Sequence, residues 1–191
     1  MVLLEQARDL AVRLLAALEP YAQNIQIAGS IRRRKPWVRD IEIVLEPRMY
    51  EQAALFGEQV HLLDALADFP WRQWGRLVKN GPRYKQLLLR HPAVKVDLFI
   101  VRPPAQFGYL FALRTGPAAF SRALVTPRRY GGLMPDDLQA RGGAYWRRGE
   151  VVPTPLESDV FDLLGLEWVP PWERHRLVPA AVAARTQGGH G

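Results

Sequence analysis

Cysteine is absent from the 191 residues, which excludes disulfides, thiolate metal sites and cysteine nucleophiles and makes an intracellular, cytoplasmic location the default expectation. No apolar run is long enough to cross a membrane. The first eighteen residues have apolar side chains at helical spacing, but Glu5, Arg8, Asp9 and Arg13 interrupt them, so the segment reads as an amphipathic helix and not as a signal peptide or a span. Internal repeats are absent too. Acidic residues are missing over one long stretch: Arg72, Arg76, Lys79, Arg83, Lys85, Arg90, Lys95 and Arg102 share residues 71–104 with a single acid, Asp97.

What is present is a chain with 48% hydrophobic residues and six Trp, enough for a buried core, and a formal net charge of +7. That charge favours an acidic partner such as nucleic acid, although charge alone names no function. Its distribution is segregated. Residues 114–148 are basic apart from Asp136 and Asp137, whereas residues 150–173 carry acids only. A plain solvated face is the competing reading of such runs.

Along the chain, Ile25-Gln26-Ile27 reads as a short strand running into an Ala28-Gly29-Ser30 turn, followed by four consecutive cations, Arg32 to Lys35. Strand alternation resumes from Asp40 to Leu45 and ends at Pro47. A helix is expected over 50–66. Lys85 to Leu89 and Val94 to Val101 read as a hairpin around His91-Pro92, and the texture changes near Pro104. Small helices and a hairpin follow, and the residues from Pro179 onward read as a frayed tail.

Residues two apart on a strand share a face, so Asp40 and Glu42 project in parallel, and an adjacent strand bearing Asp97 completes a set of three carboxylates. Phosphoryl transfer needs divalent metals held by such hard oxygen ligands. Each acid alone fits an ordinary amphipathic strand facing water. The context adds weight: Asp97 interrupts an apolar run, and the Asp40/Glu42 pair follows a turn suited to an anion. In that turn Gly29 permits close backbone approach, Ser30 supplies a hydroxyl, and Arg33 suits a phosphate.

Ala28-Gly29-Ser30-Ile31-Arg32-Arg33 followed by Asp40-Ile41-Glu42-Ile43-Val44 resembles the nucleotidyltransferase signature of family X, the DNA polymerase β-like enzymes. Lys95 to Ile100 resembles the third carboxylate strand, Arg114-Thr115-Gly116-Pro117 to Arg122 the thumb motif, and Asp159 to Arg174 the family's C-terminal end. The resemblance implies an α+β fold: a nucleotidyltransferase palm with a mixed β-sheet flanked by helices over residues 1–105, a small α+β polymerase β-like thumb over 106–178, and a flexible tail over 179–191. It further implies a minimal palm-plus-thumb form without the lyase domain.

The implied reaction is addition of a nucleotide to a DNA 3′ end with release of pyrophosphate. Asp40 and Glu42 would ligate two magnesium ions, with manganese as a substitute, and Asp97 the ion that activates the 3′ hydroxyl. Gly29, Ser30, Arg33 and Arg39 would hold the nucleoside triphosphate, and Leu113, Arg114, Gly116 and Ser121 its sugar and base. Lys79, Arg83, Lys85, Arg128 and Arg129 would contact primer-template or gapped DNA. A monomer acting away from membranes is implied.

The chain departs from the family pattern at four places. Glu42 stands for a frequent Asp, Arg39 for a Gly, Leu113-Arg114 for an aromatic pair beside the sugar, and Ser121 for an Asn. The alternatives are a nucleotidyltransferase acting on RNA ends or another hydroxyl acceptor, and a catalytically silent nucleic-acid-binding module.

Overall fold

The structure, a computed structural model, describes residues 1–53 and 60–187. In chain order the elements are β1 (Val2–Leu3), α1 (Leu4–Leu18), β2 (Ala22–Ile27), α2 (Gly29–Arg32), β3 (Trp37–Val38), β4 (Asp40–Pro47), β5 (Met49–Ala53), β6 (Val60–Asp64), α3 (Trp71–Trp74), β7 (Gly75–Asn80), β8 (Tyr84–Leu89) and β9 (Lys95–Ile100). The series continues with α4 (Phe107–Thr115), α5 (Ala118–Val125), β10 (Leu138–Arg141), β11 (Ala144–Arg147), β12 (Glu150–Val152), α6 (Glu157–Leu163) and α7 (Ala180–Gln187).

Contacts divide the chain into two units, residues 1–27 with 37–102, and residues 28–36 with 103–191. The first is an α+β layer around a five-stranded mixed sheet of order β2-β4-β9-β8-β7. The β4–β9 pair is parallel and the other pairs are antiparallel. A parallel pair requires a crossover, and residues 48–94 supply it. Period-2 alternation sorts the faces: Ile41, Ile43 and Leu45 of β4 and Val96, Leu98 and Ile100 of β9 are buried on one side. Helix α1 packs against β2 and buries Ala7, Leu10, Ala11, Leu14 and Leu18, the stripe its periodicity predicts. Asp40, Glu42, Lys95 and Asp97 face the other way.

The helix expected over 50–66 is not formed. Met49–Ala53 and Val60–Asp64 pair instead as antiparallel strands, with Met49 opposite Asp64 and Ala53 opposite Val60; residues 54–59 of that expectation lie outside the described residues. Val60-His61-Leu62-Leu63 is too short an apolar run for periodicity to distinguish strand from helix, and pairing decided it. Asp64 then accepts from Leu66 N at 2.9 Å and starts a short 3₁₀ turn.

In the second unit, α4, α5 and α6 enclose a core of Tyr109, Phe120, Leu124, Tyr145, Val160 and Phe161. The single expected hairpin is a three-stranded antiparallel sheet, β10-β11-β12, because a second tight turn at Arg148-Gly149 follows the one at Gly142-Gly143. The frayed tail expected over 179–191 is not seen at 180–187, and residues 188–191 of that expectation lie outside the described residues. Ala180–Gln187 is helical and packs on α5, held by Val182, which is 2% exposed.

Candidate active site

The sheet register sets the acids of the first unit in rows. Glu42 of β4 is the lateral partner of Asp97 of β9, which is in turn the partner of Gln86 of β8. One row along, Asp40 is opposite Lys95. Lateral partners and residues two apart share a face, so these side chains converge. Tyr84 Oη donates to Asp97 Oδ1 at 2.6 Å, and Gln86 Nε2 donates to the same oxygen at 2.9 Å. Lys95 Nζ lies 3.3 Å from Asp97 Oδ2 and 3.2 Å from Asp40 Oδ2.

Asp97 is therefore held on both oxygens. Burial lowers the pKa of Lys95, but its hydrogen bonds to Asp40 and then Asp97 outweigh this and leave it raised. The Tyr84 phenol is raised by burial and by donating to the Asp97 carboxylate. Lys95, Tyr84 and Gln86 were not singled out from sequence. The signal for Lys95 was present, since it lies two residues before Asp97 on the same strand face.

The donor set suits a hard cation, with carboxylate oxygens sharing one face. As the side chains stand, no three His, Asp or Glu among the described residues gather closely enough to hold a metal ion. Lys95 balances part of that negative charge, its ammonium lying between Asp40 Oδ2 and Asp97 Oδ2. Arg39, just before β4, is exposed.

The expected anion turn belongs to the second unit. Gly29 has φ 62°, a left-handed value that glycine adopts at little cost. Ser30 Oγ is buried and has no hydrogen-bond partner among the described residues, an orphan that a phosphate oxygen would satisfy. Arg33 Nη1 donates to the Thr115 and Gly116 carbonyls at 2.8 and 3.0 Å, so the guanidinium assigned to phosphate already ties the turn to the end of α4.

The preceding cation, Arg32, has a different role. Its Nη1 and Nη2 grip both oxygens of Glu157, the latter at 2.7 Å, and Nη1 also donates to Thr115 Oγ1 at 2.9 Å. Arg174, 0% exposed, takes the same carboxylate with Nη1 at 2.9 Å from Oε1 and Nη2 at 2.8 Å from Oε2. Trp168 Nε1 adds a donor to Oε2 at 3.1 Å. Burial alone would raise Glu157, but the bonds from Arg32 and Arg174 reverse this and hold it at about 2. Burial also lowers Arg174 against the pull of Glu157, though a guanidinium stays protonated throughout.

Ser121 Oγ donates to the Leu113 carbonyl at 2.6 Å, which places Ser121 beside Leu113, Arg114 and Gly116. Tyr109 is 5% exposed and packs edge-on to Tyr145 at 4.7 Å, and burial pushes its hydroxyl up to about 12. Among the basic residues expected to contact DNA, Lys79 and Lys85 lie on β7 and β8 and Arg83 just before β8, with Lys79 Nζ 5.5 Å from the Tyr84 ring. Arg128 and Arg129 are both exposed, and Arg128 Nη2 donates to the Leu164 carbonyl at 2.6 Å.

Residues 112–175 match the DNA polymerase beta thumb family. The chain is also similar to DNA polymerase lambda of Rattus norvegicus, 29% identical over 167 residues that cover 76% of this chain and 28% of that protein. It spans little more than a quarter of that relative's length. An alignment over 76% of the chain is longer than the second unit, so the likeness extends past the thumb into the carboxylate-bearing sheet. The two comparisons thus agree in kind: residues 112–175 are similar to a polymerase β thumb, and most of the chain is similar to part of a DNA polymerase.

Proposed function

We propose that this chain adds nucleotides to a DNA 3′ end with release of pyrophosphate. The observation that carries the proposal is the register of β4 on β9, which sets Asp40 and Glu42 beside Asp97 on one sheet face in a chain whose residues 112–175 match the polymerase β thumb family. Asp40, Glu42 and Asp97 would hold magnesium, which when bound neutralises phosphate charge and lowers the pKa of the attacking hydroxyl.

The chain's own residues prepare that site. Tyr84 and Gln86 fix Asp97 through Oδ1, which leaves Oδ2, the oxygen facing Lys95, as the one to exchange partners. Lys95 keeps the carboxylates from repelling one another until then. Ser30 Oγ would donate to a triphosphate oxygen, and Arg33 would act by holding the turn in place. The exposed Arg39, Lys79, Arg83 and Arg129 and the half-buried Lys85 would meet phosphates electrostatically. DNA primer-template and a nucleoside triphosphate are the substrates this reading requires.

A primer-extension panel tests it, using gapped, open-template, single-stranded and RNA substrates with magnesium or manganese. Metal-dependent extension of the gapped or open-template DNA is expected. Extension confined to RNA ends would replace this reading with a nucleotidyltransferase acting on RNA ends, and no extension of any substrate would leave a binding module.

A further inference from the structure

At the β7 edge of the five-stranded sheet, the single turn of α3 presents two indoles. Buried Phe69 lies between them, its ring 4.5 Å from Trp71 and 6.4 Å from Trp74, and Tyr21 backs it at 5.4 Å. Both tryptophans are half-buried. Trp71 lines a cavity of about 440 Å³ with Arg72 and Leu77. Trp74 lines a neighbouring one of about 290 Å³ with Arg13, Arg90 and His91. Gln73 lines both and offers an amide donor and acceptor to each.

The surroundings are cationic. Arg72, Arg76 and Arg90 are exposed and make no hydrogen bond or ion pair among the described residues. Lys85 Nζ lies 5.7 Å from the Trp71 ring, and burial lowers its pKa. The nearest acid in sequence, Asp68, accepts from the Tyr50 hydroxyl at 3.0 Å. The platform is also packed closely on the sheet. A Cβ at Gly75 would lie 2.2 Å from the Leu88 carbonyl oxygen, so the residue after α3 is seated directly on β8. None of these residues belongs to the carboxylate face.

We propose that α3 and its two flanking cavities form a binding site for an unpaired stretch of nucleic acid, with bases stacked on Trp71 and Trp74 and phosphates held by Arg72, Arg90 and Arg13. Flat indoles among guanidinium groups match the two invariant features of a single strand, its π-faces and its phosphates. The half-buried indoles leave part of each ring open to solvent, and an unpaired base can lay its π-face on them, whereas a base stacked inside a duplex has both faces covered. The site lies wholly in the first unit, and its occupancy requires neither metal nor nucleotide.

The test is fluorescence anisotropy with labelled oligo(dT) and oligo(U) of about twelve nucleotides, within the site sizes such grooves use, and with blunt duplex DNA. Chelator is present and nucleotide absent, so a chain without polymerase activity can still pass. Trp71→Leu should weaken binding of the single strand about fivefold or more, as loss of one stacked base predicts, and leave duplex binding within about twofold. Arg72→Glu with Arg90→Glu should weaken single-strand binding about tenfold or more without lowering the melting temperature, which keeps the test decisive if Trp71→Leu fails to fold.

The ratio of oligo(dT) to oligo(U) affinity assigns the natural strand to DNA or RNA, and either assignment upholds the site. Unchanged single-strand binding in these variants overturns the proposal. Equal losses on duplex and single strand in Trp71→Leu also overturn it, as does displacement of oligo(dT) by polyglutamate at matched charge concentration, which would reduce the site to charge alone.

Discussion

Each unit holds a network of carboxylates and cations, and the two differ in exchangeability. In the first, two aspartates share one ammonium, Lys95, whose side chain is 40% exposed. In the second, one glutamate sits between the guanidinium forks of Arg32 and Arg174, with side chains 8% and 0% exposed for Glu157 and Arg174. An ammonium is a point charge on a flexible stem, whereas paired forks fix a carboxylate in direction as well as charge. The first network can surrender its cation to a ligand. The second ties Arg32 of α2 to Glu157 and Arg174 within the second unit, and opening it should cost stability.

The largest effect should come from breaking the second network. Glu157→Gln leaves Arg174 buried without its counter-charge and should cost about 3–5 kcal/mol in denaturant unfolding. Because the folded pKa of Glu157 is depressed to about 2 from 4.5, the stability it supplies is complete above its ordinary value and disappears as the pH falls through about 2. The gap between wild type and variant should therefore narrow on acidification. A gap of constant size, or a cost under about 1 kcal/mol, would remove the contrast between the networks.

Asp97→Asn attacks the exchangeable network at its best-held member. Nucleotide addition should fall about 10²–10³-fold, while the melting temperature changes little, because an amide oxygen still accepts from Tyr84 and Gln86. Single-turnover kinetics beside a thermal melt would separate the two. A variant that loses fold and activity together would mean that Asp97 is structural, as Glu157 is.

The second unit also departs from the family pattern, at Leu113, Arg114 and Ser121. The aromatic pair typical of the family is missing there, and Tyr109 cannot replace it because its ring is committed to the core. Ribonucleotides should therefore be incorporated comparatively well, with a deoxyribo-to-ribo efficiency ratio below about 100, or about 2.7 kcal/mol. Matched incorporation opposite one template base measures it. A ratio in the thousands would show a wall built by other residues.

The smallest effect sharpens the comparison most directly. Lys95→Ala should tighten magnesium binding several-fold in calorimetric titration, since one solvent-exposed ion pair is worth about 1 kcal/mol. It should cost less than about 1 kcal/mol of stability. Weaker magnesium binding would show that the lysine supports the metal site.

Local physics made much of this legible from sequence. Period-2 alternation placed Asp40 and Glu42 on one face, helical spacing defined the buried stripe of α1, and adjacent hydrophobic runs marked β8 and β9. Short apolar segments carried too little information, and the pairing of β5 with β6 replaced an expected helix. Sequence separated Asp97 from its neighbours as a lone acid among eight cations, but not which cation it holds, because that depends on the register of β9 between β4 and β8. Arg32 and Glu157 lie 125 positions apart. Both read as solvated charges, one in a basic run and one in an acidic run, until folding removes water from around them and makes each the other's partner. Sequence alone determined which groups could do chemistry and which face each strand offered; the tertiary structure decided which charges meet, because pairing depends on contacts between residues remote in the chain.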